Sequence, residues 1–102
     1  MGLIVTLQTE HGNVLERVED RRDLLSRALP DAGDAQNQWA STIDLYGDTT
    51  FNYLQAAKLR TEWQRLMQAS HDSDTRELLE RIDDMLERCS SRVHTYVKFS
   101  GD

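Results

Sequence analysis

The sequence has little of several features that would fix its class. It contains a single cysteine, Cys89, and a single proline, Pro30, in 102 residues. One thiol cannot form a disulfide within the chain, so folding is not expected to need an oxidising compartment. No apolar run approaches the roughly 18 residues of a membrane span, and the first residues lack the basic region of a signal peptide. We therefore expect a cytoplasmic protein with no membrane partner.

Motifs that identify catalytic or cofactor sites are also missing. The chain has no phosphate-binding loop, dinucleotide-binding glycine pattern, nucleophile elbow or zinc-protease motif. The histidines His11, His71 and His94 have no second ligand at the spacing of a zinc site. We expect no cofactor, no metal and no enzymatic activity. The alternative to be tested is an enzyme that uses Asp44, Asp48 or His94 in acid–base catalysis.

The charge balance limits the class of partner. The chain has 18 acidic and 12 basic residues, a net charge of −6. Proteins that bind nucleic acids are usually basic, because contacts with phosphate supply much of their affinity. The basic cluster Arg17, Arg21, Arg22 and Arg27 is interleaved with acids and predicts an ion-paired surface. We therefore expect no nucleic-acid partner, and instead a protein partner of opposite, basic charge.

The N-terminal residues predict a β-hairpin. Residues 3–8 are rich in β-branched and apolar side chains, and Gly12-Asn13 is a turn signal. Residues 14–18 then return as a second strand. A helix over residues 14–29 is the competing interpretation, because its apolar side chains also share a helical face.

A short helix and a polar loop are predicted next. Asp20 is placed to cap a helix over residues 21–28, and Pro30 ends it. Residues 31–38 then form a polar, glycine-containing loop within one domain, since neither side is long enough to fold alone.

Residues 39–52, W-A-S-T-I-D-L-Y-G-D-T-T-F-N, predict a second hairpin at the middle of the domain. Two β-prone runs, residues 39–45 and 49–53, flank the turn signal Tyr46-Gly47-Asp48.

The C-terminal half predicts two longer helices and a strand. Apolar residues recur at helical spacing over residues 56–70, and His71 breaks this helix. Asp74 and Glu77 resemble a capping box that starts the last helix. Residues 93–99 alternate as a strand. The predicted fold is therefore α+β, with one mostly antiparallel sheet of two hairpins and a C-terminal strand, covered by the two longer helices over residues 1–102.

The last helix has an acidic side that predicts a binding surface. Its acids are placed opposite the apolar stripe and are only partly balanced by the pairs Glu77–Arg81 and Asp84–Arg88. The predicted partner-binding residues are those acids, two acids just upstream and two aromatic residues: Asp72, Asp74, Glu77, Glu80, Asp83, Asp84, Glu87, Tyr46 and Tyr53.

Two segments, I-D-L-Y-G-D-T-T-F-N over residues 43–52 and V-H-T-Y-V-K-F-S-G-D over residues 93–102, carry a family resemblance. With the small size and acidity, they resemble bacterial immunity-type proteins of polymorphic-toxin and contact-dependent inhibition systems. The resemblance implies a cytoplasmic, non-enzymatic inhibitor that neutralises a cognate toxin by direct binding. The alternative is a small adaptor domain that forms homodimers or larger homo-oligomers through a sheet edge at residues 93–99.

Overall fold

The computed structural model describes residues 2–70 and 72–101, which form a four-stranded sheet, three α-helices and one 3₁₀ helix. In chain order the elements are β1 Ile4–Thr9, β2 Val14–Glu19, α1 Leu25–Ala28, a 3₁₀ helix Ala40–Thr42, β3 Asp48–Asn52, α2 Tyr53–Ala69, α3 Ser73–Ser90 and β4 Thr95–Ser100. The predicted α+β class is confirmed, and so is the cover of two longer helices. Within the same residues no helix is both long and apolar enough to cross a membrane.

The strand order is β2-β1-β4-β3, and every neighbouring pair is antiparallel. β4 lies inside the sheet, where Ser100 is opposite Ile4 of β1 on one side and Asp48 of β3 on the other. The prediction that residues 93–99 form an unprotected edge is therefore wrong. The two edges of the sheet are β2 and β3.

The core lies between one face of the sheet and the helices α2 and α3. Phe99 of β4 is fully buried at its centre, with ring centroids 5.8 Å from those of Phe51 and Trp63. The Trp63 indole Nε1 donates a hydrogen bond to the Leu79 carbonyl at 2.8 Å. This bond satisfies the one polar atom of a fully buried side chain and ties α2 to α3.

The first hairpin is confirmed, and residues 14–18 form a strand. Val18 lies opposite Val5, and both are buried beneath the helices. The helical alternative for this segment is wrong, because pairing with β1 buries Val18 while leaving Val14 exposed. The register shifts between Leu7 and Gln8, which leaves Leu15 as the extra residue of a bulge.

The second predicted hairpin is wrong in its first strand. Instead of a strand over residues 39–45, the chain forms the 3₁₀ helix, in which the Thr42 hydroxyl donates to the Trp39 carbonyl at 2.6 Å. The Glu62 carboxylate of α2 accepts hydrogen bonds from the backbone N–H groups of Trp39 and Ala40. The second strand exists as β3, but it pairs with β4.

The ends of the helices follow from capping. The N-cap residue of α1 is Leu24, so the prediction that Asp20 caps a helix over residues 21–28 is wrong in position. The Asp20 carboxylate still accepts hydrogen bonds from the backbone N–H groups of Leu24 and Leu25, at 2.9 and 2.8 Å. A capping box between Asn52 and Gln55 starts α2 at Tyr53, three residues before the predicted start.

Asp72 starts α3 by accepting the Thr75 backbone N–H, so the prediction that Asp74 is the cap is wrong. Met1, His71 and Asp102, and with them the predicted helix break at His71, lie outside the described residues.

Candidate protein-binding surface

α3 carries four exposed carboxylates along one line. Glu77, Glu80, Asp84 and Glu87 are spaced by three, four and three residues, which places them as successive neighbours on the helix surface. At about 1.5 Å per residue the line is roughly 15 Å long. We call these four residues the acidic ridge.

The orientation of the acidic ridge is set by the opposite side of α3. The helix fixes itself to the core through a continuous row of side chains that are almost fully buried: Leu78, Leu79, Ile82, Met85, Leu86 and Cys89. A helix held by so much apolar surface has little freedom to rotate, so the ridge faces outward as a fixed feature. Cys89 is a buried residue of this row, and burial raises the pKa of its thiol.

Asp83 does not belong to the exposed acidic side. Only 7% of its surface is exposed, and its Oδ1 lies 3.1 Å from the Arg60 Nε of α2. A second Arg60 nitrogen donates to Oδ2 at 3.4 Å. The placement of Asp83 opposite the apolar stripe is therefore wrong: its carboxylate lies in the contact between α2 and α3. This contact raises the pKa of Arg60, chiefly through the hydrogen bond with Asp83.

Two of the ridge acids have a basic neighbour. Arg60 also donates to Glu87 at 3.0 Å, and the Arg76 Nε lies 3.7 Å from the Glu80 carboxylate. Within residues 2–70 and 72–101, neither Glu77 nor Asp84 forms an ion pair. Glu77 and Asp84 are therefore the two ridge acids that no ion pair of the described residues neutralises.

Neither ion pair predicted within α3 is formed among the residues that the structure describes, and one of the two arginines pairs with another element instead. Arg88 reaches β2 and pairs with Glu16 instead of Asp84. Arg81, the predicted partner of Glu77, forms no ion pair in the described part of the chain. Both arginines lie on the side of α3 towards β2, since seven residues are close to two helical turns. Each arginine is still a neighbour, on the helix surface, of the acid it was expected to pair with, but no ion pair forms between them in residues 72–101.

Asp72 and Asp74 have local structural partners. The Thr75 hydroxyl and backbone N–H both donate to Asp72, which lowers the pKa of this carboxyl. Asp74 pairs with Arg22, and that pair raises the pKa of Arg22. These two acids extend the negative surface beyond the ridge, but their first role is to hold the start of α3.

The two candidate tyrosines are far from each other. Tyr46 is 80% exposed on the loop before β3, whereas Tyr53 is half-buried against the core at the start of α2. β3 separates them, a distance of roughly 17 Å for five residues of strand. Tyr53 lies at the C-terminal end of α3, because Arg60 contacts Asp83 and the two helices run antiparallel. The nine predicted residues therefore do not form one continuous site.

His94 of the catalytic alternative is not brought together with Asp44 and Asp48, which share one turn. Asp44 accepts the Tyr46 backbone N–H, and Asp48 lies 3.4 Å from the Lys98 ammonium, near the Ser100 end of β4. His94 precedes the other end of β4, where its Nδ1 is 3.2 Å from Glu10. The length of β4, roughly 17 Å, separates them, which is far beyond hydrogen-bond reach.

The described residues contain no cluster of three or more side chains suited to hold a metal ion. Comparison of the chain with protein-family models, with curated proteins and with solved structures finds no match in any of the three. The acidic ridge is a fixed and partly unneutralised charged surface of the described residues.

Proposed function

We propose that this protein is a non-enzymatic inhibitor of the immunity type, which acts in the cytoplasm by binding a basic bacterial toxin through the acidic ridge. The observation that carries the proposal is the pair Glu77 and Asp84, which are exposed, fixed by the packing of α3 and without an ion pair in the described part of the chain.

The spacing of the ridge acids supports a binding role. Glu77–Glu80, Glu80–Asp84 and Asp84–Glu87 are like-charged neighbours, and each such pair costs a helix about 0.2–0.5 kcal/mol. A surface selected only for stability would alternate the signs of its charges. A basic partner removes this repulsion when it binds, so part of the strain in the free protein is converted into affinity.

The same geometry explains how inhibition would follow. A line of fixed carboxylates attracts a basic surface over a distance of about one Debye length and so raises the association rate. Once bound, the arginine or lysine residues of the toxin that hold its own anionic substrate are covered. Inhibition then needs no chemistry from this protein, only occupation of the basic site.

We expect the toxin to be encoded by a neighbouring gene, and the test uses its toxin domain. Its binding to the wild-type protein is compared with binding to the double variant Glu77→Lys/Asp84→Lys, in which the ridge is reversed. The control is Glu10→Lys/Asp31→Lys, which makes the same change in net charge at exposed acids away from α3. We expect the ridge variant to bind about 100-fold more weakly and the control within about threefold of wild type, since close charged pairs in an interface can contribute several kcal/mol.

Rescue of bacterial growth during toxin expression should follow the same order. Wild type and the control should rescue, and the ridge variant should not. Absence of binding by the wild-type protein in low salt would refute the proposal. Equal losses in the two double variants would show that net charge matters and that the ridge does not.

A further inference from the structure

β2 is an edge strand whose outer side is unoccupied in the described part of the chain. It pairs only with β1, so every second backbone N–H and carbonyl along residues 14–19 points away from the sheet. The ion pair between Arg88 of α3 and Glu16 holds this edge against the helix layer. The edge is thus a fixed row of hydrogen-bonding groups and not a loose terminus.

One end of this edge is basic in a protein that is otherwise acidic. Arg17, Glu19 and Arg21 from the β2 region and Arg81 from α3 line an open hollow of about 380 Å³. Glu19 is shared by Arg17 at 3.9 Å and Arg21 at 3.2 Å, so one carboxylate faces three guanidinium groups. The hollow therefore has a local surplus of positive charge and fits carboxylates.

The other end of the edge is apolar. Val14 and Leu15 are 55% and 46% exposed, and Leu15 is the bulge residue that leaves the regular pairing with β1. Large aliphatic side chains exposed side by side at a strand edge are unusual in a monomer, because edges are normally protected by charge. The edge therefore has a direction, because it is apolar at the N-terminal end of β2 and basic at the C-terminal end.

A second copy of this chain fits the edge poorly. When a twofold axis relates two antiparallel β2 strands, each residue lies opposite a residue of the same sheet face. Two registers then pair five residues, one centred on Glu16 and the other on Arg17. Each places a charged residue directly opposite its own copy, which destabilises a strand pair. The surplus positive charge likewise repels itself, so the occupant must be acidic.

We propose that the β2 edge binds an extended, acidic segment of a partner protein, which joins the sheet as a fifth strand. Its backbone pairs with residues 14–19, its carboxylates occupy the hollow lined by Arg17, Arg21 and Arg81, and its apolar residues cover Val14 and Leu15. An antiparallel arrangement, like every other pair in this sheet, places the acidic residues in the N-terminal half of the segment.

This surface adjoins the acidic ridge at Arg81 but has the opposite charge, so it takes a different class of partner and does not depend on the proposed toxin binding. A partner that uses it brings carboxylates, whereas the partner of the ridge brings basic groups. Failure of one proposal leaves the other untouched.

The probe is a synthetic nine-residue peptide, acetyl-TETETVTVT-amide, titrated into the full-length ¹⁵N-labelled protein. Its glutamates and valines lie on one face of a strand, in the order that an antiparallel fit requires. We expect saturable shifts of the backbone amide signals of β2 and Arg81, and slower hydrogen exchange at the β2 amides that point outward. The peptide with the order reversed, TVTVTETET, should bind at least tenfold more weakly.

Two changes separate strand addition from simple charge attraction. Two peptides are made, one methylated at the odd-numbered backbone nitrogens and one at the even-numbered ones. Methylation removes hydrogen-bond donors and keeps the charge. The peptide that loses the donors facing β2 should not bind. In the protein, Arg17→Glu/Arg81→Glu should weaken binding at least tenfold. The matched control Arg27→Glu/Lys58→Glu makes the same charge change at exposed residues elsewhere and should bind within twofold of wild type.

Four results would each overturn the proposal: no saturable binding up to the solubility limit of the peptide, equal binding of both methylated sets, equal binding by the Arg17→Glu/Arg81→Glu variant, or shifts centred outside β2. A concentration-dependent dimer whose outward β2 amides are already protected without peptide would also overturn it, because a second copy would then occupy the edge.

Discussion

The Glu62 Oε1 atom lies 2.8 Å from the Ala40 backbone nitrogen and accepts its hydrogen bond, although 22 residues separate the two in the chain. Glu62 is 7% exposed, and Trp39 donates its backbone N–H to the same carboxylate. A buried carboxylate is tolerated only where donors compensate its lost hydration. Here the donors are the first N–H groups of the 3₁₀ helix, so α2 holds the loop over residues 39–47 in place.

Replacing Glu62 should therefore destabilise the fold at a distance. We expect Glu62→Ala to lower the free energy of unfolding by about 2–4 kcal/mol, because it leaves buried N–H groups without an acceptor. Glu62→Gln should cost less, since its amide oxygen can still accept. Urea denaturation measures both, with Gln64→Ala at an exposed position of α2 as the control. A loss for Glu62→Ala no greater than for the control would contradict this role.

The contact between Arg60 and Asp83 should be the strongest ion pair between α2 and α3. Asp83→Ala is expected to lower the free energy of unfolding by about 1.5–3 kcal/mol, as for a partly buried hydrogen bond between charged groups. Glu87→Ala removes a more exposed partner of Arg60 and should cost at most about 1 kcal/mol. A double-mutant cycle between residues 60 and 83 measures their coupling free energy. A coupling free energy of zero within error would contradict this prediction.

Acid should weaken the start of α3. Thr75 lowers the pKa of Asp72 in the folded protein, so the ionised carboxylate is favoured by folding. The stabilisation is fully present above the pKa of an unfolded aspartate, about 3.9, and is lost as pH falls through the lower folded value. Below about pH 4 the free energy of unfolding should decrease less steeply with falling pH in Asp72→Ala than in wild type. In the control Ser73→Ala this dependence on pH should be unchanged. Chemical denaturation across this pH range gives the answer.

Cys89 should be unreactive in the folded protein. It is fully buried, burial raises the pKa of its thiol, and its Sγ contacts the Thr95 carbonyl at 3.4 Å. Disulfide reagents react with the thiolate. In the folded protein the thiolate of Cys89 therefore forms only at a pH above about 8.5, the pKa of an exposed thiol. We expect labelling with a chromogenic disulfide to be slow at pH 8 and complete in denaturant. Rapid labelling of the native protein would show that α3 opens locally.

Patterns that depend on neighbours in the chain were predictable. The apolar stripe of α3 and the first hairpin follow from spacing and residue type within one element. The competing helix at residues 14–29 could be rejected only when Val18 was seen opposite Val5, since both interpretations place apolar residues on one side.

Interactions between distant segments were not predictable. Residues 39–45 have strand propensity, but the Glu62 carboxylate and the Thr42 hydroxyl favour a 3₁₀ turn, and no local signal identifies Glu62 as a partner. Asp83 was predicted to be exposed because a helical wheel of α3 shows no contact with another helix, and its partner Arg60 belongs to α2. The position of β4 inside the sheet likewise depends on strand order, on which the alternation of residues 93–99 carries no information.

The inner position of β4 also has a consequence for synthesis on the ribosome. β1 and β2 form one hairpin and β3 with α2 a second unit, and β4 is the strand that joins them in the sheet. Until residues 95–100 leave the exit tunnel, the sheet is in two pieces and the core lacks the buried side chains Val97 and Phe99. Folding of this domain should therefore be an event that follows translation of β4, with a high share of long-range contacts and a correspondingly slow rate.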